Sequence, residues 1–139
     1  MGLDQYAYAA AKANEFREFW EGAELDPITG EYVNPAVEKP REIMYWRKHP
    51  NLQGWMRELY KRKCRSGDDP VFNGAEVELT WEDLDDLEHA VENNLLPYTQ
   101  GFFFGNDSSA HYREQDLDFI RKARAELFVG LRVFYNSSW

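Results

Sequence analysis

"AEVELTWEDLDDLEHAVENNLLP", residues 75–97, changes its apolar period from about two to about 3.6 at a single residue, Thr80. Before it, Val77 and Leu79 alternate with Glu76 and Glu78, the pattern of a half-buried strand. Thr80 with Asp83 three residues on predicts a capping box, in which each side chain satisfies the other's backbone N–H. Glu82 and Asp83 also suit the positive end of a helix. Leu84, Leu87, Val91 and Leu95 then recur at helical spacing, Asn93 and Asn94 loosen the end, and Pro97 stops it. A strand feeding straight into an amphipathic helix points to mixed α and β structure.

The flanking sequence extends this pattern. "LDQYAY", 3–8, alternates as a strand with Leu3 and Gln5 on one face and Asp4, Tyr6 and Tyr8 on the other. Ala9 to Trp20 favours a helix. Residues 21–40 carry Pro27, Gly30, Pro35 and Pro40, which predicts a long loop with a turn over Asp26-Pro27…Gly30. "EIMYW", 42–46, reads as a strand, and His49-Pro50 ends it because a residue before proline avoids the helical region. Pro50 or Asn51 opens the next helix, whose apolar stripe is Leu52, Trp55, Met56 and Leu59. A last helix over 113–128 buries Leu117, Ile120, Ala123 and Leu127 and stops at Gly130. "LRVFYNSSW" is a closing strand. "GFFFG", 101–105, reads as a core strand with Phe102 and Phe104 on one face and Phe103 on the other. The expectation is one α+β domain over 1–139. Its small, mostly antiparallel sheet of four to five short strands packs with three to four helices.

The chain has 139 residues, 43% of them hydrophobic and 16% aromatic, so it suits one domain with a ring-rich core. It contains no apolar run long enough to span a membrane, and its start lacks the pattern of a secretory signal. A single cysteine, Cys64, excludes an internal disulfide and fits a reducing compartment. The net charge of −9 argues against nucleic acid as a partner. That charge is uneven: residues 41–65 hold eight Lys and Arg against two Asp and Glu, so the segment is basic within an acidic chain. Such a split suits either an anionic partner or ion pairing within the fold itself.

The strand-to-helix junction "YWRKHPNLQGWM", 45–56, holds the densest set of candidate binding residues: Tyr45, Trp46, Arg47, His49, Asn51 and Trp55. A helix N-terminus attracts anions, the indoles can stack on a ring, and Arg47 can clamp a phosphate or carboxylate. The other reading is a Trp/Tyr corner of the core with its cations in water. A second set, Asn106, His111 and Tyr112, borders the segment after "GFFFG". The three histidines show no metal-ligand spacing, so no metal site is expected, and no nucleotide-loop or cofactor pattern is present. Asp4, set among tyrosines, requires partners if buried, and a Tyr or Arg network is the expected solution.

Taken together, "MGLDQYAY", "YWRKHPNLQGWM", "LPYTQGFFFG" and the closing "VFYNSSW" resemble a family of small uncharacterised proteins encoded by bacteriophages and bacteria. Some members of that family carry a phosphoglycerate kinase label, for which this chain is too short and has no nucleotide loop. The resemblance implies a phage origin and a host-cytoplasm setting. The expected function is that of a non-enzymatic accessory protein binding a host protein or itself. The alternative is a binder of a small anionic ligand, such as a nucleotide or phosphorylated metabolite, with hydrolysis as a further option.

Overall fold

The computed structural model describes residues 2–64, 74–99 and 109–139. The elements run β1 (Asp4–Ala10), α1 (Glu15–Glu21), β2 (Glu24–Leu25), β3 (Tyr32–Val33), β4 (Arg41–Arg47), α2 (Pro50–Lys63), β5 (Glu76–Leu79), α3 (Trp81–Glu92), α4 (Ser109–Phe128) and β6 (Arg132–Ser138). Four strands form one antiparallel sheet in the order β4-β1-β6-β5, and β2 pairs with β3 alone. The expected α+β class is therefore observed. "GFFFG" and Asn106 lie outside the described residues.

One sheet face is apolar. Ala7 of β1, Trp46 of β4, Val133 and Tyr135 of β6, and Val77 and Leu79 of β5 are buried there under α2, α3 and α4. The helices contribute Leu52, Met56 and Leu59, then Leu84, Leu87 and Val91, then Phe119, Ile120 and Ala123. Full burial of each such side chain is worth roughly 1.5–3 kcal/mol, so this layer dominates the stability of the fold. The opposite, outer face carries Tyr8, Ala10 and Phe134, on which Phe16 of α1 packs.

The helix after Thr80 forms as the sequence predicts. The Thr80 hydroxyl accepts from the Asp83 N–H at 3.2 Å, and the Asp83 carboxylate accepts from the Thr80 N–H at 2.9 Å. Its end departs from the periodicity. Asn94 adopts a left-handed conformation, φ 55°, and the Leu95 N–H donates to the Ala90 carbonyl at 2.7 Å. This C-terminal turn swings Leu95 outward, to 58% exposure, and buries Leu96 in its place.

Three other expectations are corrected. Ala9 and Ala10 continue β1 and do not open a helix, because Ala9 has ladder partners in both β4 and β6 and Ala10 has one in β6. Those partners outweigh alanine's intrinsic preference for helix, which is under about 1 kcal/mol per residue. Helix α1 starts only at Glu15, after Asn14 reverses the chain at φ 67°. The 21–40 loop contains a short hairpin, closed by the expected turn: the Gly30 N–H donates to the Asp26 carbonyl at 2.8 Å, and the Asp26 side chain accepts from the Ile28 N–H at 2.9 Å. Helix α4 begins at Ser109, and its most buried face is Asp116, Phe119, Ile120 and Ala123, with Leu117 and Leu127 at the margins.

Gly54 in α2 is fixed by a close approach. A Cβ there would lie 2.0 Å from Thr99 Oγ1, 3.2 Å from Thr99 Cβ and 3.3 Å from Pro97 Cγ. Thr99 is also held by its N–H, which donates to Asn51 Oδ1 at 3.0 Å. Helix propensity alone predicts that Gly54→Ala gains about 1 kcal/mol. We expect the opposite sign, a loss of about 1–3 kcal/mol from overpacking, measured by urea denaturation.

Candidate functional site

Alternation along β4 splits the junction residues between the two faces of the sheet. Trp46 points into the core at 0% exposure, whereas Tyr45 and Arg47 point outward. Lys48 turns the chain with φ 58°, and its N–H donates to the Leu3 carbonyl at 2.9 Å. That turn directs His49 back inside, where it and Asn51 are buried at the start of α2.

Inside, Asp116 of α4 joins the two elements. Its Oδ1 accepts from Trp46 Nε1 at 3.0 Å and its Oδ2 lies 2.8 Å from His49 Nε2, with both the histidine and the carboxylate essentially unexposed. The His49 ring stacks on Tyr112 at 4.6 Å, and the Tyr112 hydroxyl donates to the Arg47 carbonyl. Gln5 of β1 fixes the His49 backbone in both directions, accepting from its N–H at 2.7 Å and donating to its carbonyl at 2.9 Å. The same amide donates to the Tyr135 hydroxyl at 2.8 Å, which donates to Gln53 Oε1 at 2.6 Å. A single polar chain thus crosses the core from β6 through β1 to α2 and α4. Buried polar groups must be paired in this way, since a stranded one costs about 1–3 kcal/mol.

Burial pushes the Asp116 carboxyl above the ordinary carboxylate range, and the hydrogen bonds from His49 and Trp46 only partly oppose it. The folded protein therefore keeps a proton that the unfolded chain releases near pH 3.9. Its stabilising contribution is complete below that pH and is lost as pH rises through the raised folded value. Glu78 and Asp83 behave oppositely. The Arg132 hydrogen bond holds Glu78 down, and at Asp83 burial acts upward but is outweighed by Lys63 and Thr80. Their contributions are present above the unfolded value and are lost as pH falls through the depressed one. The expected outcome is that Asp116→Asn costs most stability near pH 4 and less toward neutrality, while Glu78→Gln costs least in acid. Urea midpoints across pH 3 to 7 check both slopes.

The remaining candidates are placed as follows. Tyr45 donates to Asp4 Oδ1 at 2.6 Å and lies 5.3 Å from the Tyr6 ring, while Arg47 pairs with the same carboxylate at 3.4 Å. Asp4 has the Tyr and Arg partners its setting requires. Asn51 donates to Ser109 Oγ at 2.8 Å, so it ties α2 to the start of α4. Trp55 is half-buried against the core, and His111 is exposed with its ring edge-on to Tyr112 at 4.7 Å. Trp46, His49, Asn51 and Tyr112 are brought together, whereas Tyr45 and Arg47 lie on the far side of the sheet. Among the described residues no group of His, Cys, Asp or Glu has a metal-binding arrangement, and no helix is long and apolar enough to cross a membrane.

The basic segment pairs with acidic parts of its own fold: Arg41 with Glu126, Arg47 with Asp4, and Lys63 with Asp83. Three of the segment's eight cations are thus paired with carboxylates elsewhere in the fold.

A second surface arises where the sequence shows only a loop. The Trp20 and Tyr32 rings lie 5.4 Å apart, and Leu25 is the cross-strand partner of Tyr32. Trp20, Leu25 and Tyr32 are 41%, 55% and 49% exposed, and Ile28 at the hairpin turn is 93% exposed. Asn34 binds this hairpin to α1, donating to the Phe19 carbonyl at 3.1 Å and the Glu18 carbonyl at 3.3 Å. Asp116 and Gln5 could have been suspected from sequence, since each sits on an otherwise apolar face. The hairpin patch has no such signal, because its strands are two residues long.

No protein family matches the chain, and no curated protein or solved structure does.

Proposed function

We propose that this is a phage-type, non-enzymatic accessory protein that acts in a host cytoplasm by binding another protein through α1 and the β2–β3 hairpin. The supporting observation is the apolar projection of Trp20, Leu25, Ile28 and Tyr32, held against α1 by Asn34. Contiguous exposed apolar surface of this kind marks interaction sites. The resemblance to phage-encoded proteins supports the setting. A small-anion site at the strand-to-helix junction has less support, because Trp46, His49 and Asn51 face protein partners in the interior.

Ile28→Asp tests the reading, since a side chain this exposed contributes little to the folded core. The expected result is loss of a stoichiometric partner, either a host protein in pull-downs or a second copy by light scattering, with an unchanged melting temperature. Wild type that is monomeric and recovers the same proteins as Ile28→Asp would contradict it.

A further inference from the structure

The surface formed by α1 and the hairpin is apolar at its centre and acidic around it. Residues 17–39, which cover most of α1 and the whole hairpin, hold six Asp and Glu against two Lys and Arg, a net charge of −4. Both cations sit at the α1 side. Arg17 pairs with Glu21 at 3.8 Å, and Lys39 lies 5.4 Å from the centre of the Trp20 ring. Glu18 pairs with Lys12 at 3.8 Å. Glu24, Asp26, Glu31 and Glu38 take part in no ion pair among the described residues. Even with Lys39 counted, the surface is a net anion.

The hairpin brings these carboxylates close to the apolar residues. Leu25 and Tyr32 are cross-strand partners and share one face, while Glu24 and Val33 share the other. Asp26 and Glu31 come next toward the turn, where the Asp26 N–H donates to the Glu31 carbonyl at 2.8 Å. Paired strands lie only about 5 Å apart, so a Lys or Arg stem packed on Leu25 and Tyr32 reaches round the ribbon to the acidic side. Charge also decides between occupants. A second copy docked through a two-fold axis sets the patch against itself. That contact opposes −4 to −4 in chains that each carry −9, a like-charge juxtaposition. A cationic partner meets the same surface with attraction.

We propose that α1 and the hairpin bind a basic amphipathic segment of another protein; the proposal rests on the protein-binding reading above. The segment sets its apolar residues against Leu25, Ile28 and Tyr32, and its Lys or Arg against Glu24, Asp26 and Glu31. Apolar burial supplies the affinity, and the carboxylates select the partner and speed its approach.

The test is a ¹⁵N–¹H titration of the full chain, at physiological ionic strength, with a peptide of Leu and Lys at helical spacing. A Leu–Glu peptide of the same spacing and a Gly–Lys peptide of the same charge are the controls. The expected result is saturable shifts at the Trp20 indole N–H and the Ile28 and Tyr32 amides, with both controls weaker by about tenfold or more. Ile28→Asp adds a negative charge, so it would strengthen a purely electrostatic contact; here it should weaken the Leu–Lys peptide by about tenfold. Glu24→Gln with Glu31→Gln, both exposed positions, should weaken it several-fold. Equal binding of the Gly–Lys peptide, no saturable shift at these residues, or no effect of the double variant overturns the proposal. If the Leu–Lys peptide fails while Ile28→Asp still abolishes capture of a host protein, the basic partner falls and the hairpin reading stands. A wild-type dimer that Ile28→Asp dissociates, seen by light scattering, has the same meaning.

Discussion

Asp116→Ala is expected to destabilise the protein by about 3–5 kcal/mol, because two buried hydrogen-bonding groups, each costing about 1–3 kcal/mol when stranded, lose their partner. The carboxylate holds Trp46 Nε1 with one oxygen and His49 Nε2 with the other, so its removal strands two buried groups and opens a cavity. A domain of ordinary stability has only about 5–15 kcal/mol in hand, so the variant should approach the unfolding limit. Asp116→Asn should cost less, because an amide can still accept from Trp46. The ordering, with alanine well below asparagine, is measurable by urea denaturation. An alanine variant within about 1 kcal/mol of wild type would mean that the cluster contributes little to the fold.

Trp46→Ala should have an effect of similar size, about 3–5 kcal/mol, for a different principal reason. Trp46 is fully buried between Phe119, at 5.0 Å, and Tyr135, at 6.2 Å, where α4 crosses β4 and β6. Its loss leaves a cavity that the surrounding rings cannot fill without leaving their rotamers. Part of the cost is also the donor lost by Asp116. The two substitutions share that interaction, so the double variant should be less destabilised than the sum of the singles, by about 0.5–3 kcal/mol of coupling. Strict additivity would separate the polar cluster from the aromatic one.

Both variants act on residues that the sequence shows unequally. Trp46 stands out in "YWRKHP", but the same segment offers Tyr45, Arg47 and His49 as equals, and only the strand's alternation sorts them. Asp116 lies on α4 between half-buried positions, and its value depends on a partner 67 residues away. Local pattern marks Asp116 as a polar residue on an apolar face, but it does not say which residue it meets at that separation. Where the signal is local it holds: the Thr80–Asp83 capping box, the Val77 and Leu79 alternation, and the Pro50 helix start are all observed.

The sequence reading breaks down where tertiary pairing overrides propensity. Ala9 and Ala10 form strand because β6 pairs with both and β4 with Ala9, and Leu95 yields its place to Leu96 because Asn94 turns left-handed. The candidate site divides in the same way. Ring-rich residues near His49 stand out by type, yet their roles in the core follow from burial and hydrogen bonding. The outward placement of Glu42 depends on one extra residue in β4, and a bulge leaves no mark in composition or period.

A division of labour is the central claim: the buried His49–Asp116 cluster holds the fold, and binding is proposed for α1 and the β2–β3 hairpin. Partner capture at matched stability tests it most directly, comparing wild type, Ile28→Asp and Asp116→Asn at a temperature where all three are folded. The prediction is that wild type and Asp116→Asn retain the same stoichiometric partner or second copy, and that Ile28→Asp loses it. Retention by Ile28→Asp together with loss by folded Asp116→Asn would contradict the account and move the function to the buried cluster.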